Sequence, residues 1–237
     1  MERIISRASW KRIDSKPEGG PPPGGSGHEL ELSLSRFEGP FRWEEIFGNR
    51  NPVEVEVGFG KGMFLLEAAS RNPHLNYLGV ELSRPRFRIA LKRLERRALA
   101  NVRVVRAEAL YLMRTRFLPE SVAAYHIYFP DPWPKSRHEK RRLFRPEAVE
   151  ALARTLAPGG RLELATDVVG YFHEILALLA ANPLLEEGAR ECFEGEAGPP
   201  DFRTHFLLKY RAEGLPIYFA RFFRKEVGGS SQAGGAG

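Results

Sequence analysis

The chain has 237 residues, 43% of them hydrophobic, with 36 Lys and Arg against 30 Asp and Glu and a net charge of +6. That length accommodates one enzymatic domain with extensions but not two, and the apolar fraction suffices for a sizeable core. No run of about 18 apolar residues is present to span a membrane, Met1–Arg7 lacks the apolar stretch of a secretory signal, and the single cysteine, Cys192, excludes an internal disulfide and a cysteine-built zinc site; a cytoplasmic protein without a metal is expected.

The first 40 residues read as an N-terminal extension. Residues 17–27 are Pro, Gly, Ser and Glu and form a linker, and Trp10 with Arg3, Arg7, Lys11 and Arg12 is either an RNA-binding arm or an element packed on the core. One domain is expected from 41 to 225. In it Val53–Val57 reads as a strand ending in glycines, Met63–Ser70 as a helix, Leu75–Glu81 as a second strand, Arg84–Ala98 as a long basic helix, Val102–Val105 as a third strand and Ala123–Tyr128 as a fourth. Pro146–Leu156 is a helix that opens on Pro and stops at Pro158-Gly159-Gly160, and Arg161–Ala165 and Val168–Ala181 follow as strand and helix. This alternation predicts an α/β fold with a doubly wound, mostly parallel sheet. The β-like runs Thr204–Tyr210 and Pro216–Phe223 are expected to add an antiparallel C-terminal edge, and residues 226–237 a disordered tail.

Such sheets bind ligands at the carboxyl ends of their strands, where the strand order reverses. There the chain reads Glu56-Val57-Gly58-Phe59-Gly60-Lys61-Gly62-Met63. A dinucleotide fingerprint needs Gly-x-Gly-x-x-Gly; these glycines alternate and Met63 stands at the third place, which disfavours a nicotinamide cofactor. Gly58 lets a ligand approach the backbone, and Glu56 suits a ligand carrying a cation, as S-adenosylmethionine does. Glu81 ends the second strand, where a carboxylate accepts from a ribose diol, and Glu108 follows the third, within reach of an adenine amino group. Each alone reads as a solvated loop acid; three at successive strand ends favour a nucleoside site.

The fourth strand runs into Phe129-Pro130-Asp131-Pro132-Trp133-Pro134-Lys135. Two prolines fix the backbone around Asp131, and Trp133 offers a flat face to a base or a wall to a pocket. Lys135, Arg137, Lys140, Arg141, Arg142 and Arg145 then follow closely; 28 of the 36 basic residues are Arg, which suits phosphate, although the excess also fits a thermophilic source. This stretch closely resembles the signature of the bacterial tRNA (guanine-N7)-methyltransferase family: Phe-Pro-Asp-Pro-Trp, a Lys two residues on, then Arg-His-x-Lys-Arg-Arg-Leu, met at every position from Phe129 to Leu143. Pro158-Gly159-Gly160, Ala165-Thr166-Asp167 and Thr204-x-Phe206 with Gly214-x-x-Ile217 extend the resemblance over roughly residues 40–223.

The resemblance implies a Rossmann-like class I methyltransferase sheet, S-adenosylmethionine as cofactor, and methylation of N7 of guanosine 46 in the variable loop of tRNA. It implies that Glu56, Glu81, Glu108 and Asp131 line the cofactor site, with Asp131 also catalytic, that Lys135, Asp167, Thr204 and the position of Leu207 meet the substrate nucleotide, and that Arg137, His138, Lys140, Arg141 and Arg142 touch the RNA. N7 carries no proton, so Asp131 is expected to orient the base and favour its developing positive charge. Asp167 either reads the guanine N1–H and N2 amino donors or caps the following helix. Glu108 stands where the family usually has Asp, and Leu207 where it has Glu; guanine recognition then falls to Asp167 alone or to Glu213, or is weaker. A methyltransferase acting on another RNA, or a tRNA-binding protein with a vestigial cofactor fold, is the alternative, and monomer and homodimer are both open.

Overall fold

Five strands rich in Val, Leu and Tyr pair in parallel at the centre of the computed structural model, which describes residues 30–133, 141–194 and 204–226. They are β1 (Val53–Val57), β2 (Asn76–Glu81), β3 (Val102–Arg106), β4 (Val122–Tyr128) and β5 (Leu156–Thr166). β6 (Leu185–Phe193) and β7 (Ile217–Arg224) complete the sheet in antiparallel fashion, in the order β3-β2-β1-β4-β5-β7-β6. The doubly wound sheet with an antiparallel C-terminal edge is therefore what forms. Its order reverses between β1 and β4, which opens a crevice at the carboxyl ends of those strands.

The apolar stripes of the helices cover both faces. On one lie α2 (Met63–Arg71), α3 (Arg84–Glu95) and α7 (His205–Ala212). On the other lie α1 (Trp43–Phe47), α4 (Ala109–Thr115), α5 (Pro146–Thr155) and α6 (Val169–Ala180). A fully buried side chain such as Leu65 of α2 or Leu152 of α5 contributes about 1.5–3 kcal/mol by leaving water. α2 sits so close to β2 that a Cβ on Gly79 would overlap the side chains of Leu65 and Phe59. Arg224, at the end of β7, donates to the carbonyls of Ala153, Arg154 and Leu156 at 2.6–3.0 Å, so a cation satisfies the C-terminus of α5 and ties the antiparallel edge to it.

Several local expectations are corrected. Thr204–Tyr210 is not a strand: Thr204 is the N-cap of α7, its hydroxyl accepting from the Leu207 amide at 2.9 Å. Phe206, Leu208 and Tyr210, two residues apart, mimic strand periodicity, but within the helix only Leu207 is buried. β6 lacks the apolar alternation of a half-buried strand because it is a sheet edge with mostly exposed side chains, among them Cys192. α3 stops at Glu95, before Ala98 adopts φ +47°. Leu30 and Leu32 exchange hydrogen bonds with Val104 of β3 at 2.8 Å, so the last part of the extension docks on the sheet. The Pro/Gly linker, Trp10 and its basic neighbours lie outside the described residues. Among the described residues no helix is long and apolar enough to cross a membrane, and no group of His, Cys, Asp or Glu is arranged to hold a metal ion.

Candidate active site

β1 delivers the chain into the crevice through Gly58, Gly60 and Gly62, at φ +76°, +56° and +72°. Side chains are strained in that left-handed region, which is why the loop alternates glycine. Its turn is locked to β2: the Gly58 amide donates to the Val80 carbonyl at 2.7 Å and the Gly60 amide to Glu81 Oε2 at 3.0 Å. Glu81 Oε1 accepts from the Ser83 amide at 2.7 Å. Glu108 is the N-cap of α4, accepting from the Leu110 and Tyr111 amides at 3.1 and 2.6 Å. Each oxygen of these two carboxylates keeps a lone pair for a ligand. Gly58, Glu81, Glu108 and Asp131 border one cavity of about 550 Å³, a volume suited to a nucleoside-sized molecule.

Glu56 borders a smaller cavity of about 220 Å³ that shares Gly58, Gly60 and Tyr128 with the first. Its carboxyl is buried, and Oε2 has no hydrogen-bond partner among the described residues. Burial pushes its pKa up to about 8; His126 opposes that rise, Glu81 adds to it, and the Leu65 amide opposes it. A buried carboxylate with an unpartnered oxygen at a cavity wall is a receptor for a cation, and the α-ammonium of S-adenosylmethionine fits it.

Behind Glu56 the same sheet face carries a charged network that the sequence reading missed. His126 Nε2 lies 2.8 Å from Glu54 Oε2, and His126 Nδ1 lies 3.0 Å from the Tyr128 hydroxyl, which donates to Glu163 Oε2 at 2.9 Å. Arg161 donates to Glu54 Oε1 at 2.5 Å, and Arg221 to Glu163 Oε1 at 2.8 Å. Burial opposes a charge on His126, but Glu163 and Glu54 outweigh it and hold the ring's pKa up. Burial likewise opposes ionisation of Glu54 and Glu163, and for both His126 leads the cations that hold the carboxyl below the usual range. Two carboxylates, Glu54 and Glu163, thus face His126, Arg161 and Arg221, with the Glu56 carboxyl near His126. The signal was present in the strands Val-Glu-Val-Glu-Val and Leu-Glu-Leu, because a central parallel strand is ordinarily a continuous apolar run.

Asp131 sits exposed just beyond β4 on a loop under strain. Phe129 and Trp133 take φ +53° and +41°, each costing on the order of 1–3 kcal/mol. Phe129 is held by its amide, 2.7 Å from the Ala165 carbonyl, and by ring contacts with Phe206 and Tyr210 at 6.0 and 5.3 Å between centroids. Arg142 was expected at the RNA, but its guanidinium is committed within the protein. It donates to Pro132 O at 2.7 Å, to Trp133 O at 3.4 Å and to Glu174 of α6 at 2.5 Å, over the ring of Tyr171. It therefore clamps the Asp131 loop to α6. Arg141 is exposed, stacked 5.1 Å above Trp133. Lys135, Arg137, His138 and Lys140 lie outside the described residues.

Asp167 follows β5 but caps nothing: α6 begins at Val169 with Val168 as N-cap and no side-chain bond. Asp167 instead lies near the Tyr210 hydroxyl of α7, whose pKa burial and then Asp167 push up. Thr204 borders the Glu56 cavity while capping α7. Leu207, expected at the substrate, has its side chain fully buried in the core with Ala165 and Ile217, and so offers no contact to a nucleotide. Phe206, its exposed neighbour, borders both cavities.

Acidic side chains at four successive strand ends around a glycine turn, in a doubly wound sheet with an antiparallel edge, define a Rossmann-like methyltransferase. The fold matches a solved antibiotic-related methyltransferase with a TM-score of 0.57 over 77% of this chain and 92% of that one, at 22% identity. It matches the antibiotic-resistance methyltransferase Kmr with a TM-score of 0.54 over 79% and 92%, at 19% identity. The family described as putative methyltransferase matches residues 50–218. A tRNA (guanine-N(7)-)-methyltransferase of Bordetella parapertussis is 42% identical over 178 residues, 75% of this chain and 68% of that protein. One of Paraburkholderia xenovorans is 37% identical over 187 residues, 77% and 70%. The chain belongs to the tRNA (guanine-N7)-methyltransferase family.

Proposed function

We propose that this protein methylates N7 of guanosine 46 in the variable loop of tRNA, with S-adenosylmethionine as the methyl donor, in the cytoplasm. The observation that carries the reading is Asp131, held rigidly by strained and clamped backbone at the rim of the cavity that Glu81 and Glu108 also border. There Glu81 would accept from the ribose diol of the cofactor and Glu108 from its adenine amino group, and Glu56, in the adjoining smaller cavity, would pair with its α-ammonium. The cofactor supplies an electrophilic methyl on a sulfonium.

The nucleophile needs no activation by a base, because the N7 lone pair lies in the ring plane and carries no proton. Methylation leaves positive charge on the imidazole ring, and a fixed carboxylate beside it lowers the barrier by electrostatics and by orientation. Asp131 has that role. Asp167, steadied by Tyr210, accepts from the N1–H and N2 amino group that distinguish guanine from adenine. Incubating the purified protein with S-adenosylmethionine and unmodified tRNA, then mapping the product by mass spectrometry, is expected to place 7-methylguanosine in the variable loop. Methyl on another base, or no methyl at all, would overturn the reading.

A further inference from the structure

The groove between the start of α2, the second half of α3 and the first residue of α7 has a volume of about 440 Å³ and lies beside the site described above, sharing Gly62 with its glycine turn. Arg93, Arg96 and Arg97 form one wall, Met63 and Leu66 part of the floor, and His205 the rim. Arg93 is held in an unusual setting. Its guanidinium lies 2.7 Å from His205 Nε2 and donates to the Lys61 carbonyl at 3.3 Å, which ties α3 to the glycine loop and to the start of α7. Burial, Arg93 and Lys61 together push the His205 pKa down, which leaves a neutral ring able to accept from Arg93.

Among the described residues no carboxylate pairs with Lys61, Arg93, Arg96 or Arg97. Glu67, the one acid in the groove, is turned to Arg71 at 3.7 Å. Cations drawn together without a counter-charge repel one another, and the arrangement becomes favourable when an anion enters. The groove is also continuous with the reaction site: Met63 and His205 border it and the Glu56 cavity, and Phe206, the next residue of α7, borders the cavity of Asp131. Among the described residues its lining has no Phe, Tyr or Trp to stack a base, and its one carboxylate, Glu67, is engaged by Arg71, so it suits phosphate and not sequence.

We propose that this groove binds backbone phosphates of the substrate tRNA next to the methylated nucleotide, with Arg93, Arg96 and Arg97 as the phosphate ligands. The proposal rests on tRNA being the substrate. The test is the double variant Arg96→Gln/Arg97→Gln, assayed by tRNA binding across a salt series, by KM for tRNA and by the Kd for S-adenosylmethionine. Loss of two phosphate contacts is expected to reduce the slope of log Kd against log salt by about 1.5 and to raise KM for tRNA about tenfold, with cofactor affinity unchanged. Arg114→Gln, which removes a charge from α4 on the opposite face, is the control for bulk charge and is expected to change neither. A wild-type slope and KM in the double variant, or an equal loss in Arg114→Gln, would refute the groove while wild-type 7-methylguanosine formation stands. If the wild-type protein makes no 7-methylguanosine, the functional reading fails first and the groove with it.

Discussion

Cofactor affinity should depend on pH through Glu56. The group is buried, has one unpartnered oxygen and carries a pKa of about 8, against an ordinary value of 4.5. Because the folded value lies above the unfolded one, ionising Glu56 opposes folding of the empty protein as pH rises from 4.5 towards 8, and a bound ammonium reverses that cost. If only the carboxylate binds the ammonium, the apparent Kd tightens about tenfold between pH 6 and pH 7, a range in which an α-amino group stays largely protonated. About one proton should be released per cofactor bound at pH 6.5. Isothermal titration calorimetry in two buffers of different ionisation enthalpy measures both quantities. Glu56→Gln should abolish the pH dependence and the proton release together. His126→Asn should move the midpoint upward, because the ring's positive charge opposes the rise in the Glu56 pKa. The groups around Glu56 are Glu81 on β2, His126 and Tyr128 on β4, and the Leu65 amide of α2, with Glu163 and Arg161 of β5 beyond. A Kd that is flat from pH 6 to pH 7, with no proton released, would refute the assignment of Glu56 as the ammonium receptor.

Asp131→Ala should lower kcat about 10²- to 10³-fold while circular dichroism stays native, since the loop is held by its neighbours; an unchanged kcat would remove Asp131 from the mechanism. Arg142→Gln should lower kcat about tenfold and cost about 1–2 kcal/mol in urea unfolding, and Arg142→Lys should not rescue it, because one ammonium cannot span Pro132, Trp133 and Glu174. Gly79→Ala should destabilise the fold by about 1–3 kcal/mol in the same assay, as its methyl would overlap Leu65 and Phe59.

The sheet was legible in the sequence because its five parallel strands and the crossover helices α2, α3 and α5 have distinct periodicities, and because Pro146 and Pro158-Gly159-Gly160 bracket α5; the short crossover helix α4 was not read. The cofactor edge was legible because glycines and acids stand at strand ends, where the geometry gives them one destination. What escaped was set by tertiary contact. Arg142 and Arg141 are adjacent in a basic run, yet one turns inward to three acceptors and the other lies on Trp133. The His126 network joins β1, β4, β5 and β7, pairings that no local pattern announces. Asp167 looked like a cap because it precedes α6, but its partner, Tyr210, is on α7.

Leu207 has a consequence for how this sequence can change. Its side chain is wholly buried and fastens α7 to the core. Leu207→Glu would put an unpaired charge among apolar side chains and loosen the helix that carries Phe206 and Tyr210. A carboxylate is therefore tolerated at position 207 only if the apolar side chains around it, Ala165 and Ile217 among them, change with it.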